Sequence, residues 1–155
     1  MKLRERIDIA ATAEAVWPFV ADPVLQSVWN PRIVAVDREA EGPVRRGERF
    51  AMVYRMGSVE REASVEVTEC DPPNGVVFAH TSERDGRRFR SAVGFSVEPR
   101  GERARVTQTI DLAGSGIARS VMLLISLVHR LGRSVGEPYL AHLKRVVESP
   151  NDEGP

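Results

Sequence analysis

The sequence predicts an α+β fold with seven antiparallel strands, two short helices after the first strand and a long C-terminal helix. Three observations predict it. Apolar and charged residues alternate from Lys2 to Ile9, which is typical of a half-buried strand. Between Ile33 and Leu112 the chain alternates between strand-like segments and tight-turn signals. After the strand-breaking sequence A-G-S-G, apolar residues recur at helical spacing from Ile117 onward.

Two short helices are predicted between the first strand and the rest of the sheet, around the sequence VWPFVADPVLQSVWNP. Thr12 is a suitable N-cap for the first helix. Pro18 falls past its first turn and predicts a short or bent helix. Asp22 and Pro23 are typical of the N-cap and first residue of a second helix. The sequence W-N-P ends it, because a residue before proline avoids the helical region.

Turn signals set the predicted strand registers. The dipeptides G-S at 57–58 and D-G at 85–86 are typical of two-residue hairpin turns. Two longer turns join the neighbouring strands. The resulting register pairs Tyr54 with Arg61, His80 with Ser91, Ala63 with His80, Val65 with Phe78, Val93 with Gln108 and Phe95 with Val106.

The predicted inner face of the sheet is mostly apolar but contains a series of polar residues. Buried polar groups need hydrogen-bond partners or water, and a sheet packed flat on a helix would rarely supply so many. We therefore expect a partly wet cavity between the sheet and the helix. The polar residues are Tyr54, Arg61, His80, Ser82, Ser91 and Gln108.

Composition and short sequence features limit the possible partners, the cellular location and the number of domains. The formal net charge is zero, so we expect no nucleic-acid partner. The apolar run Val121–Val128 is shorter than the roughly 20 residues of a membrane-spanning helix. The N-terminus lacks the apolar core of a signal peptide, and the single Cys70 fits a reducing compartment, so we expect a cytoplasmic protein. We expect one domain over residues 1–149 and a flexible tail over 150–155.

The order of elements and three short sequences resemble a known superfamily. The sequence I-D-I-A-A-T-A-E-A-V-W, followed by A-D-P and W-N-P, is similar to the SRPBCC or START-like superfamily over nearly the whole chain. Within it, the chain is most similar to the polyketide cyclase/dehydrase branch of small bacterial proteins. The resemblance implies the helix-grip fold, in which a curved sheet wraps a long helix over a cavity. Family members include lipid carriers and aromatase/cyclases, and none of their catalytic residues can be matched to positions here.

The first functional hypothesis is a binding module for a small hydrophobic ligand, either lipid-like or aromatic and polyketide-like. Apolar walls would supply affinity, and a few polar groups would orient the ligand. The predicted wall residues are Trp29, Phe50, Met52, Tyr54, Phe78, His80, Phe89, Ser91, Val93, Phe95, Gln108, Leu124 and Val128.

The alternative is a polyketide cyclase or dehydratase, in which His80, Tyr54 or Arg61 would assist enolisation or loss of water. Two of these residues also have a simpler interpretation. His80 could bond Ser91 or water and only tune the polarity of the cavity. Arg61 lies near a strand end, from which its long side chain could reach water.

We expect no metal and no cofactor. The histidines at 80, 129 and 142 show no metal-ligand spacing, and the chain has no P-loop or dinucleotide fingerprint. The sequence SVMLLISLV is apolar nearly all around a helix, so a homodimer contact through it is a second interpretation beside core packing. The sequence does not identify a ligand.

Overall fold

The computed structural model describes residues 1–131 and 139–149. The strands are β1 (Lys2–Ile9), β2 (Ile33–Asp37), β3 (Arg49–Met56), β4 (Val59–Asp71), β5 (Gly75–Arg84), β6 (Arg87–Arg100) and β7 (Arg103–Gly114). The helices are α1 (Ala13–Ala21), α2 (Pro23–Trp29), α3 (Arg119–Arg130) and α4 (Tyr139–Glu148).

The strands form one antiparallel, curved sheet in the order β1-β7-β6-β5-β4-β3-β2. Every strand from β2 to β6 pairs with the next strand in the chain, and β1 forms the far edge against β7. The predicted fold class, a seven-stranded sheet with two short helices after the first strand, is confirmed.

The predicted N-caps of both short helices are present. Thr12 Oγ1 accepts a hydrogen bond from the main-chain N–H of Ala15 at 3.2 Å. Asp22 Oδ1 accepts one from Val24 N–H at 2.9 Å, with Pro23 as the first helical residue. These side chains satisfy N–H groups that have no partner within the helix. Pro18 lies inside α1, as predicted.

Two hairpin registers are as predicted because the dipeptides G-S and D-G mark their two-residue turns in the sequence. Tyr54 pairs with Arg61 across the β3–β4 hairpin. His80 pairs with Ser91 across the β5–β6 hairpin. In the second turn Asp85 has a φ of 51° and the following glycine a φ of 71°. Left-handed values at both central residues are typical of a type I′ turn.

The other two predicted registers are wrong by two residues. Val67, not Val65, pairs with Phe78 across β4 and β5, where the register shifts between Val67 and Glu69. His80 therefore pairs with Val65 rather than Ala63. Between β6 and β7 the turn is tighter than predicted, so Phe95 pairs with Gln108, Val93 with Ile110 and Val97 with Val106. A shift of two residues leaves each side chain on its predicted face.

The concave face has two ends that differ in packing. At the closed end β1 ends and β7 begins, and α1, α2 and α4 contact neighbouring elements of the sheet. Side chains there are buried, with Ile9, Val65, Val67, Val106 and Leu143 of α4 completely so. At the open end lie the β3–β4 and β5–β6 turns and the last residues of β7. The core therefore occupies only part of the concave face.

Trp29 holds the two short helices against the sheet. Its indole N–H donates a hydrogen bond to the main-chain carbonyl of Phe19 in α1 at 2.8 Å. Its ring meets Phe95 of β6 edge to face, with centroids 6.0 Å apart. Buried tryptophans pack well only when the N–H finds an acceptor, and here α1 supplies it.

A buried arginine links the start of α2 to the edge of the sheet. The Arg38 side chain is 3% exposed, and its guanidinium donates to both carboxylate oxygens of Glu48 and to the carbonyl of Gly42. Asp22 lies 3.8 Å from the same group. Hydrogen bonding to Arg38 holds the pKa of Glu48 below its ordinary value, despite the opposing effect of burial.

The C-terminal helical region is described as two helices, α3 and α4. In the sequence, Gly132, Gly136 and Pro138 indicate a bend, but residues 132–138 lie outside the described residues, as does the tail at 150–155. In α4, Leu140 and Leu143 are buried. In α3, by contrast, Leu123, Leu124 and Leu127 are exposed to solvent. Leu131, which follows the helix, is exposed as well.

Candidate functional site

The open end of the concave face contains a cavity of about 230 Å³. Most of its wall is apolar or aromatic. Strands β2, β3, β5, β6 and β7 supply most of the wall, and residues in and after α2, before α3 and at the start of α4 complete it. Cavities of about 150 Å³ in protein cores bind benzene, so this volume fits a molecule of one or two rings.

Most of the predicted wall residues line this cavity. They alternate along their strands, because inward-facing positions recur every second residue. The predicted residues that line the cavity are Met52, Tyr54, Phe78, His80, Phe89, Ser91, Val93, Phe95 and Gln108.

Two predicted wall aromatics lie behind the wall instead. Trp29 is 1% exposed and does not line the cavity, but its ring meets that of Phe95, which does. Phe50 is also buried, and its ring meets that of Phe78 with centroids 6.4 Å apart. Both rings therefore support residues that line the cavity.

The two predicted wall residues of α3 do not line the cavity either. Leu124 is 61% exposed, and Val128 is half-buried outside the cavity wall. The half-buried side of α3 instead includes Met122, Ile125 and Val128. Because α3 is apolar nearly all around, residue spacing could not identify which side faces the protein. Arg61, a predicted catalytic candidate, is half-buried and also lies outside the wall.

Sequence reasoning missed part of the wall. Arg32, Asn30 and Tyr139 come from the segment after α2 and from the first residue of α4, where no periodic pattern indicates which way a side chain points. Arg32 Nε donates a hydrogen bond to Tyr139 Oη at 2.6 Å, and its guanidinium carbon lies 4.7 Å from the centre of that ring. Arg32 and Arg90 are the exposed charged residues of the wall and mark its mouth.

His80 is the titratable group deepest in the cavity wall. Its Nδ1 has almost no accessible surface and no hydrogen-bond partner among the described residues. Burial lowers the pKa of His80 to about 4, although the main-chain carbonyl of Phe78 opposes the shift. The imidazole is therefore neutral near pH 7. The predicted alternative, a hydrogen bond to Ser91, is not formed within the described part of the chain, although the two residues are directly paired.

Acidic groups are absent from the wall as far as the structure describes it, since neither Asp nor Glu lines the cavity. Across residues 1–131 and 139–149, no group of three or more His, Cys, Asp or Glu side chains could hold a metal ion. No described helix is long and apolar enough to cross a membrane. The polar side chains that line the cavity are therefore neutral hydrogen-bonding groups inside and arginines at the mouth.

Comparison with known proteins agrees with this architecture. A family model described as polyketide cyclase / dehydrase and lipid transport matches residues 1–148. The chain belongs to this family. The family is part of the SRPBCC superfamily, so the resemblance seen in the sequence is confirmed. No curated protein sequence is significantly similar to the chain.

Solved structures share the fold at low sequence identity. Protein CV1439 from Chromobacterium violaceum is 16% identical, with a TM-score of 0.68 over 96% of this chain and 98% of its own. The protein TTHA0849 from Thermus thermophilus is 22% identical, with a TM-score of 0.66 over 95% and 97%. DynU16, a protein in the dynemicin biosynthetic locus, is 18% identical, with a TM-score of 0.61 over 96% of this chain and 47% of its own. At these identities the similarity concerns the fold alone.

Proposed function

We propose that this protein binds a small, mostly apolar ligand in the cavity at the open end of its sheet. The observation that supports the proposal is that the concave face has one end filled by side chains and one end left open. The closed end is filled by buried side chains, whereas the same strands leave an open volume of about 230 Å³ a few residues further along. Concave, mostly apolar pockets with a few convergent polar groups are typical ligand sites.

The character of the wall supports an aromatic or similarly compact ligand. Phe78, Phe89 and Phe95 offer ring faces and edges, and such contacts add to simple burial of apolar area. Met52 and Met56 have flexible, polarizable side chains, so this part of the wall can adapt to ligands of different shape. A lipid-like chain would have to extend through the mouth, because the enclosed volume is small.

A cyclase or dehydratase is the second candidate, because Tyr54 and His80 line the same cavity. The pKa of His80 supports binding over catalysis. A general base works best with a pKa near the working pH, and a group with a pKa of about 4 is a weak base near pH 7. The described wall also supplies no carboxylate as a partner in acid–base chemistry.

Native mass spectrometry of protein purified from its own host tests the binding proposal. We expect a bound small molecule, or one acquired on incubation with an apolar extract of the host. The variant Ser91→Phe places a ring in the cavity, and Ser64→Phe places the same ring on the exposed outer side of β4. Binding should be lost in the first variant and kept in the second. Equal binding by both variants, or none by the wild type, would contradict the proposal.

A further inference from the structure

We propose that Arg32 binds the carboxylate of a ligand at the mouth of the cavity, so that the site takes an apolar acid whose hydrophobic part points inward. This inference rests on the proposed binding function and adds the chemical class of the ligand. It begins with the surroundings of the Arg32 guanidinium, which is held by the neutral side chain of Tyr139 and not by a carboxylate.

Several other arginines of the sheet pair with carboxylates. Arg55 Nη2 lies 2.8 Å from Glu60 Oε1, and Arg105 Nε lies 2.8 Å from Asp8 Oδ1. Arg32 forms no ion pair with any described residue, and the described wall of the cavity contains neither Asp nor Glu. The positive charge of Arg32 is therefore available to a ligand.

Tyr139 holds this guanidinium in two ways. Its hydroxyl oxygen accepts a hydrogen bond from Arg32 Nε at 2.6 Å, and the centre of its ring lies 4.7 Å from the guanidinium carbon. The terminal nitrogens Nη1 and Nη2 form no hydrogen bond with the described residues, and such a planar pair of donors matches the two oxygens of a carboxylate. A side chain that is already positioned loses less conformational entropy when a ligand binds.

Two further donors belong to neighbours of Arg32 in the wall. The Tyr139 oxygen accepts from Arg32, so the Tyr139 O–H is left to donate. Asn30 Oδ1 accepts a hydrogen bond from the main-chain N–H of Arg32 at 3.1 Å, so the Asn30 amide N–H groups are left to donate. Both residues line the cavity, and neither donor has an acceptor in the described part of the chain. This part of the mouth therefore offers several donors to an anion.

The depth of the wall residues sets the direction of the ligand. Phe78 and Phe95 line the cavity and are buried, whereas Arg32 is exposed. A carboxylate that entered the apolar interior would lose its hydration at a high cost in free energy. At the mouth it keeps contact with water and gains charge-assisted hydrogen bonds, so the apolar part of the ligand points inward.

The test uses isothermal titration calorimetry with two probes, 2-naphthoate and 2-naphthol, which share one ring system and differ in charge at neutral pH. The variant Arg32→Gln removes the charge and keeps a polar side chain. It should weaken the binding of 2-naphthoate about tenfold and that of 2-naphthol no more than about twofold. The matched control Arg6→Gln removes the same charge from an exposed position on β1 outside the cavity wall, and it should leave both affinities unchanged.

Two further measurements separate the charge of Arg32 from a purely structural role. Tyr139→Phe keeps the ring but removes the hydroxyl that holds Arg32 Nε, so 2-naphthoate affinity should fall about threefold. Added salt should weaken the binding of 2-naphthoate to the wild type, because it screens charges at an exposed mouth. The same salt should have little effect on 2-naphthol or on Arg32→Gln.

The outcomes separate this inference from the proposed function. If Arg32→Gln keeps the wild-type affinity for 2-naphthoate, or weakens both probes equally, the carboxylate assignment is overturned and cavity binding stands. If Ser91→Phe loses 2-naphthol but still binds 2-naphthoate, the anion lies outside the cavity and the inference alone is overturned. If the wild type binds neither probe, both proposals are overturned. Should Arg32→Gln fail to fold, Tyr139→Phe and the salt dependence of the wild type decide, and unchanged 2-naphthoate affinity in either would overturn the inference.

Discussion

The closed and open ends of the concave face are built from the same strands but have different surroundings. At the closed end, helices cover the sheet and β-branched residues such as Val65, Val67 and Val106 are fully buried. At the open end, the same faces of β5 and β6 present His80, Ser82 and Ser91 to a cavity. The difference shows that burial of apolar area stabilises one end, while the other end directs polar groups into an open volume.

This division separates residues that stabilise the fold from residues that would bind a ligand. Substitutions at the closed end should lower stability, because tightly packed side chains leave voids when they are shortened. Substitutions at the open end should change ligand affinity more than stability. The two C-terminal helices extend the comparison, since α4 is packed at the closed end and α3 exposes its leucines.

The largest expected effect is that of Leu143→Ala in α4. Leu143 is 0% exposed and belongs to the hydrophobic core. Removing its side-chain carbons leaves a cavity that the neighbours fill only in part, which typically costs about 2–5 kcal/mol. Urea unfolding followed by circular dichroism measures the change. A cost below about 1 kcal/mol would show that α4 is not packed as described.

The second effect is a loss of stability in mild acid that originates at His80. The pKa of this group is about 4 when folded and 6.5 in its unperturbed state. Below pH 6.5 the unfolded chain therefore binds a proton that the folded chain does not, so the free energy of unfolding falls as the pH falls. Between pH 7.5 and 5 the expected loss is about 2 kcal/mol.

The variant His80→Phe isolates this contribution. Its urea midpoint should change less over the same pH range than that of the wild type. Glu48 has a lowered pKa and loses its stabilising contribution only below the ordinary glutamate pKa of 4.5, so it acts outside this pH range. Parallel pH profiles for the two proteins would contradict the burial of a neutral imidazole.

The next effect concerns Trp29, which packs behind the cavity. Trp29→Phe keeps an aromatic ring against Phe95 but leaves the Phe19 carbonyl without its donor. We expect a loss of about 1–2 kcal/mol in the free energy of unfolding. The affinity for 2-naphthol should change by less than about threefold, since Trp29 does not line the cavity. A large loss of affinity with unchanged stability would place the indole in the wall.

The smallest effect should come from Leu124→Ala in α3, which is the matched control for Leu143→Ala. Leu124 is 61% exposed, so its removal should change stability by no more than about 0.5 kcal/mol. The same urea titration measures it. A cost comparable to that of Leu143→Ala would show that this side of α3 is covered by other parts of the protein or by a second subunit.

The sequence predicted the fold and the inward face correctly where local signals were strong. The two-residue turns fixed their registers, and alternation identified the inward residues. The other two registers were wrong by two. Between β4 and β5 a bulge contributes, because it inserts a residue without a clear sequence signal, and between β6 and β7 the turn is tighter than its residues indicate. That error preserved the faces, so the cavity wall was largely predicted.

The parts that failed depend on packing between distant segments. The orientation of α3 could not be derived from a helix that is apolar all around. Whether Trp29 and Phe50 lie in the wall or behind it depends on depth, which alternation does not encode. The Arg32–Tyr139 pair joins residues 107 positions apart in the chain. Such contacts follow from the tertiary fold and have no local pattern.

The most direct test of the central claim is a titration followed by NMR of the methionine methyl groups. The chain has four methionines, of which Met52 and Met56 line the cavity. Met1 and Met122 lie outside its wall and serve as internal controls. On addition of 2-naphthol to protein labelled with ¹³C-methyl methionine, the signals of Met52 and Met56 should shift saturably while the controls stay in place. Unchanged Met52 and Met56 signals, or shifts confined to Met122, would contradict a ligand site at the open end of the sheet.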